Sequence, residues 1–487
     1  DFAIIGVKNP TPIRSTANDN TECFMLLAGK DATADGSILL AHNNDLRGNN
    51  ASLIAKYPRQ KHEAGEIVKF PSGLEIPQVE ETYEWIVLKI YKGFAEGDAI
   101  AINEYQVCIA GGVALGSDVN DKAKEVDPMV KTGLTGGVRY IALQRSKTAR
   151  ECVELIGQLY SKYGITYPSG VGVADPNEVW YIEPGGGHTW AAVRIPDNCY
   201  WAQANALRIG EINPEDTENF ICSPNLFEYA QEKGLWDPEE GPFNFARVFG
   251  GKKLGNPATE YYDSRRVWDV MRVLSPSLKL NPNVTEFPMY AVPGEKITIQ
   301  KLISKDVLRT YYDGTIYNTY PLEGPGSGER AVAVQNCVHT NVVQLRNWLP
   351  ADIGAVLWAG LSAPLTTVYI PYYFGIIETP NAYQVAGPEY DPKSAFWAFR
   401  TLASLVTPYY ANLIEDVLPV WEDFESNELG LQEAVEKTAL DLYKKDKNLA
   451  KNFLTAYSSG LSSKALDIAH RLADELRSKI AELSYKW

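Results

Sequence analysis

The stretch that most limits the fold is CFMLLAGKDATADGSILLAHNND, residues 23–45, in which two apolar runs are separated by Ala-Asp-Gly. Asp-Gly between two strand-forming runs signals a turn, because glycine reaches positive φ without a steric penalty. The segment therefore reads as a β-hairpin with Asp35-Gly36 at its turn. A hairpin commits this part of the chain to antiparallel sheet, and it returns residues beyond the second strand to the start of the first. That places Cys23, His42 and Asp45 within a few ångströms of one another. Pattern alone leaves two roles open for Cys23: a nucleophile beside a histidine and an acid, or a small buried hydrophobe.

The rest of the chain extends the same theme. Residues 84–92 and 99–115 read as strands, the latter pair turning at Asn103-Glu104, and 146–163 reads as a helix capped by Ser146 or Thr148. VGVADPNEVWYIEP and HTWAAVRIP alternate as another hairpin, 210–260 reads as long surface loops, and strand-like patches return at 331–343 and 365–376. From about Lys393 the apolar spacing becomes helical, over SAFWAFRTLASLV, EAVEKTALDLYKKDKNLAKNFLTAY and SKALDIAHRLADELRSKIAEL. The expected class is α+β, with antiparallel hairpins followed by a helical C-terminal region.

Composition and spacing remove several functions. The net charge of −15 disfavours a partner held by phosphate neutralisation, so no nucleic acid is expected. No window approaches 18 consecutive apolar residues, so no membrane span is expected. The five histidines form no HExxH pair, the six cysteines form no CxxC, and neither a phosphate loop nor a GxSxG elbow occurs. No metal and no cofactor are therefore expected. Six cysteines among 487 residues are too sparse for a disulfide framework. The chain starts at Asp1 without Met, which suggests export to an extracellular or periplasmic location.

The order of several short blocks is more specific than any one of them. Cys23-Phe-Met-Leu-Leu-Ala-Gly-Lys-Asp-Ala-Thr-Ala-Asp-Gly-Ser37 with Asn43-Asn-Asp45 resembles the start of the cysteine dipeptidases of the peptidase D (dipeptidase A) family. These are N-terminal-nucleophile hydrolases related to penicillin V acylase and bile-salt hydrolase. The resemblance continues through Ile102-Asn103-Glu104-Tyr105, Glu178–Glu183, Ala204-Asn205-Ala-Leu-Arg208, Arg266-Val-Trp268, His339-Thr340 and Tyr369–Tyr373, covering roughly residues 23–425.

The resemblance implies a four-layer αββα sandwich over 23–390, with 1–22 as a propeptide or N-terminal extension and 391–487 as a helical region. It also implies hydrolysis of a dipeptide or small amide substrate, and homo-oligomers. Once Cys23 is the first residue, its α-amine, with a pKa of about 7.7–8.0, accepts a thiol proton held at about 8.5, which makes the transfer inexpensive at neutral pH. By motif position, Asp45 orients that amine, Asn103 and Asn205 supply oxyanion donors, and Arg266 polarises the nucleophile. Each also has a plainer reading: Asp45 as a turn cap, Asn103 and Asn205 as turn or loop residues, Arg266 as a surface ion pair. His188 and His339 read as structural.

Two features depart from the family pattern. Twenty-two residues precede Cys23, so its nitrogen is an amide until a cut before it frees the amine. His42 stands where the family usually has Arg, and a mostly neutral imidazole cannot replace a permanent cation beside a thiolate. The main expectation is a precursor activated by removal of residues 1–22. The alternative is a catalytically inactive member that serves as a structural or assembly subunit through its N-terminal segment, with Ala3–Val7 adding a strand to a neighbour.

Overall fold

A computed structural model describes residues 22–92, 99–115, 118–251 and 261–484. The proposed extension, Ala3–Val7 included, lies outside the described residues. The hairpin forms as expected: β1 (Glu22–Ala28) pairs antiparallel with β2 (Ile38–Asp45). Gly36 takes φ +80°, and Asp35 Oδ1 accepts hydrogen bonds from the Ser37 amide and hydroxyl. The connection is longer than a tight turn, because a short helix, Lys30–Ala32, is inserted in it.

The hairpin supplies the second and third strands of a six-stranded sheet ordered Tyr200–Gln203, β1, β2, Cys337–Leu345, Val356–Leu361, Ile370–Tyr373, with every neighbouring pair antiparallel. Every residue of β2 and of Cys337–Leu345 is buried, as fits inner strands covered on both faces. A second, eight-stranded sheet runs Phe220–Cys222, Trp190–Ile195, Val179–Pro184, Ser169–Ala174, Cys108–Ala114, Ala99–Asn103, Trp85–Ile90 and β3 (Ser52–Tyr57). It too is antiparallel throughout. β1 and β2 lie against Cys108–Ala114 of this sheet.

Two hydrophobic cores follow from the alternation of side chains along these strands. The larger takes Met25, Leu27 and Leu40 from the hairpin, Ala110, Ile100 and Ile102 from the facing sheet, and residues of the C-terminal helices. The smaller joins Val87, Ala101 and Ile109, on the other face of the larger sheet, to Cys152, Val153, Ile156 and Tyr160 of the helix Ala149–Tyr163. That helix begins where its cap places it, with Thr148 Oγ1 accepting from the Glu151 amide.

The C-terminal region is helical, as the periodicity indicated, but divided differently. One helix runs Ala395–Val406, and two long ones run Tyr410–Lys445 and Lys447–Ser484, breaking at Asp446 inside a stretch that reads as one helix. The loop-like 210–260 segment also carries short helices at Leu226–Glu232 and Phe245–Phe249 and a strand at Phe220–Cys222. No helix among the described residues is long and apolar enough to cross a membrane.

Candidate active site

Strand register decides what surrounds Cys23. Its partner across the hairpin is Asn44, while Asp45 stands opposite Glu22 one rung away. Residues directly opposed in a sheet share a face and successive residues alternate, so Cys23, Asn44 and His42 point between the two sheets. Asp45 lies on the opposite face of the same strand. The hairpin thus brings all three sequence candidates to one corner, but Cys23 and Asp45 are divided by the backbone itself.

Cys23 is buried, at 1% exposure, and its main chain is held from both ends. Its N–H donates to Asn205 Oδ1 at 3.2 Å, and its carbonyl accepts from Arg266 Nη1 at 3.1 Å. The same Nη1 reaches Asn205 Oδ1 at 3.0 Å, and Nη2 donates to Asp263 Oδ1 at 2.6 Å. Arg266 lies in the helix Ser264–Leu274 and is wholly buried, so the plain surface ion-pair reading does not describe it. Asn205 follows the strand beside β1, and its Nδ2 donates to Ala114 O on the facing sheet at 3.0 Å. Two donors converge on Oδ1, so the amide presents its oxygen to Cys23 and turns its N–H groups away.

Two buried carboxylates moor the segment that carries Asn205. Asp118 Oδ2 accepts from the Leu207 amide, and Glu183 accepts from the amides of Arg208 and Ile209. Burial pushes the Glu183 carboxyl up to about 8 against the pull of these amides. Glu183 belongs to one of the blocks that carry the family resemblance, and mooring this loop is the task the structure gives it.

Asp45 receives Arg330 Nη2 on Oδ2 at 2.5 Å, whereas Oδ1 has no hydrogen-bond partner among the described residues. Burial raises its carboxyl to about 6, against the opposing pull of Arg330 and Arg266. His42 packs its ring against the Gly111–Gly112 backbone, where a Cβ on Gly111 would come within 2.9 Å of it. Burial, with Arg139 adding to it, lowers the imidazole to about 3, so it is neutral at physiological pH. Neither ring nitrogen meets hydrogen-bond geometry with any of the described residues.

Asn103 is placed elsewhere. Its Nδ2 donates to Leu143 O and Ser146 O, and its Oδ1 accepts from the amides of Tyr105 and Val107. It shares a rung and a face with Trp85, which packs in the core on the helix side of the larger sheet. Its amide is fully used in closing a turn, as the plainer reading has it. His188 is paired with Asp127 at 3.0 Å.

Two residues that the sequence reading did not place at the site stand beside the thiol. Cys23 Sγ donates to Asn44 Oδ1 at 3.5 Å, Asn44 Nδ2 meets His339 Nε2 at 3.3 Å, and His339 Nδ1 meets Ser52 Oγ at 2.9 Å. Burial holds His339 well below the ordinary histidine range, with His42 adding to the effect. Knowing the register would have revealed Asn44, since it follows from where the hairpin connection begins and ends. His339 lies in a block that carries the resemblance, but nothing local aims it at this corner, because it arrives from a strand nearly 300 residues away in sequence.

The model of peptidase family C69 matches residues 22–423, beginning one residue before Cys23 and spanning all the residues of this corner. The chain belongs to peptidase family C69. Proteins similar to this member include a "Probable dipeptidase" of Salmonella dublin, 30% identical over 359 residues, covering 73% of this chain and 81% of the relative. A "Probable dipeptidase" of Latilactobacillus sakei is 29% identical over 406 residues, covering 80% and 81%. A "Probable dipeptidase B" of Lactococcus lactis subsp. lactis (strain IL1403) is 29% identical over 396 residues, covering 79% and 81%. The peptidase assignment agrees with the expected family, and nothing in these relatives' names favours the assembly-subunit alternative.

Proposed function

We propose that this C69 peptidase hydrolyses dipeptides with Cys23 as an N-terminal nucleophile, exposed when the residues ahead of it are removed. The observation that carries the reading is the double anchoring of the Cys23 backbone. Asn205 Oδ1 takes its N–H and Arg266 Nη1 its C=O, at the point where the family match begins. A nucleophile whose own nitrogen is the base needs that nitrogen fixed relative to the sulfur. After a cut, the new ammonium would keep Asn205 as one acceptor. Asp45 Oδ1, one rung away and without a hydrogen-bond partner among the described residues, is suited to be a second. The amine then takes the thiol proton, sulfur attacks the substrate carbonyl, and the protonated amine returns the proton to the leaving nitrogen. Arg266 places a permanent positive charge beside the reacting atoms, which compensates for the neutral His42. Two facing antiparallel sheets with helices on their outer faces support the four-layer αββα arrangement that this mechanism accompanies in related hydrolases.

Intact-mass analysis and N-terminal sequencing of purified protein, together with a dipeptide panel, test the proposal. Expected are a mass loss of the first 22 residues, an N-terminal cysteine and hydrolysis lost in Cys23→Ala. Full hydrolysis by a chain still intact ahead of Cys23 would refute the mechanism while leaving the family assignment untouched.

A further inference from the structure

The line from Cys23 to Ser52 crosses three strands of one sheet and ends on the edge strand of the other. Every member between the sulfur and the serine can reverse its hydrogen-bond sense. An amide can turn end for end, a neutral imidazole can carry its proton on either nitrogen, and a hydroxyl can donate or accept. In the arrangement present, Asn44 offers oxygen to a thiol and an N–H to His339 Nε2. That makes Nε2 an acceptor and Nδ1–H a donor to Ser52 Oγ.

We propose that Ser52, His339 and Asn44 form a polarity-reversing relay that matches the Cys23 environment to the charge on its sulfur, with His339 as a positioning residue. When the thiol ionises, its proton leaves for the base. Asn44 turns its amino group to the thiolate, a water molecule takes the imidazole proton from Nδ1 and returns one to Nε2, and Ser52 donates to Nδ1. The relay keeps the same number of protons and the same net charge throughout. Its value is physical: a buried thiolate facing a fixed carbonyl oxygen would be repelled, whereas one facing an N–H gains a charge-assisted bond. Burial keeps His339 neutral, which the mechanism requires, since an imidazolium could not accept from Asn44.

Other charged or titratable groups surround the thiol. Arg266 and Asp263 lie on the helical side, with Asp45 and its partner Arg330. Cys337 and His42 are on the neighbouring strands, and Arg139 lies behind His42 from the facing sheet. A charge at any of these positions acts on the sulfur whichever way the relay is turned, and so does not produce the signature below.

The inference uses the reading of Cys23 as a thiol that must ionise, but its test does not depend on hydrolysis. The chain has five histidines, so ¹⁵N-histidine labelling of the whole protein allows the His339 tautomer to be assigned against His339→Gln. Thiolate absorbance at 240 nm, taken as the difference from Cys23→Ser, gives the Cys23 titration. The expected result is Nδ1–H below that titration and Nε2–H above it, with the exchange absent in Cys23→Ser. Asn44→Leu removes the thiolate's donor and raises the Cys23 pKa by about one to two pH units. Ser52→Ala deprives Nδ1–H of its acceptor, biases the relay towards Nε2–H, and lowers that pKa. Shifts of opposite sign distinguish a relay from loosened packing, which would move both variants the same way. A His339 that keeps one tautomer across the titration, or equal signs in the two variants, overturns the proposal. Tautomer exchange without dipeptide hydrolysis keeps the relay and removes the enzymatic reading; hydrolysis without exchange does the reverse.

Discussion

Replacing Asp45 by asparagine should stabilise the protein at neutral pH and abolish its hydrolytic activity. Burial raises the Asp45 carboxyl from 3.8 to about 6 even though Arg330 and Arg266 oppose the shift. A difference of about two pH units corresponds to roughly 3 kcal/mol between the two protonation states. An acid whose pKa is higher in the fold than in the unfolded chain binds its proton more tightly when folded. Its contribution is therefore complete below about 4, is lost as the pH rises towards 6, and stays lost above that. Asp45→Asn keeps the shape, can still accept from Arg330, and never ionises. The variant should match the parent near pH 4 and exceed it by roughly 3 kcal/mol at pH 8, read from paired guanidinium titrations across that range. Groups elsewhere cancel in the difference. If the gap is flat with pH, or favours the parent at pH 8, then Arg330 and Arg266 outweigh burial and the reasoning fails. A substitution that stabilises the fold while removing turnover marks a carboxylate kept for function at a cost in stability.

Three further outcomes are expected. His42 is a base held at about 3 against 6.5 in the unfolded chain, so the fold loses up to roughly 5 kcal/mol as the pH falls between those values. Melting temperature against pH should show this acid limb flattened in His42→Phe. Glu425 binds Arg309 through both oxygens at 2.7 Å, and both residues are buried. Glu425→Ala should cost about 3–5 kcal/mol by chemical denaturation, and adding Arg309→Met should recover part of the loss, since the uncompensated charge goes with it. Gly111 and Gly36 share φ near +80°, but only Gly111 faces a neighbour, the His42 ring. Gly111→Ala should therefore destabilise by about 1–3 kcal/mol more than Gly36→Ala in parallel melts.

The hairpin and the helix beginning after Thr148 were readable because each carries a local cause: Asp35-Gly36 at a turn, and a hydroxyl that captures a free amide. Register was not. Alternation tells which residues share a face within one strand, but the inserted helix Lys30–Ala32 shifts the pairing and puts Asn44, not Asp45, across from Cys23. Asn103 shows the opposite problem. A motif position suggested chemistry, whereas its four hydrogen bonds close a turn and join it to the segment ahead of the neighbouring helix. Arg266 lies on the helix Ser264–Leu274, which the sequence reading passed over, and its buried guanidinium joins acceptors at the start of that helix to two distant residues, Cys23 and Asn205. The strand Val356–Leu361 was missed because a short apolar run is ambiguous without its partners.

From the sulfur inward, β1 is fastened to β2 by rungs from Cys23 and to Tyr200–Gln203 by rungs from Met25. Among the described residues, the Glu22–Asp45 rung is the one that lies upstream of the sulfur. Severing the chain at that point would leave these inward rungs standing. A cut there, as proposed, would alter the chemistry of one residue while the rungs that hold it stay in place.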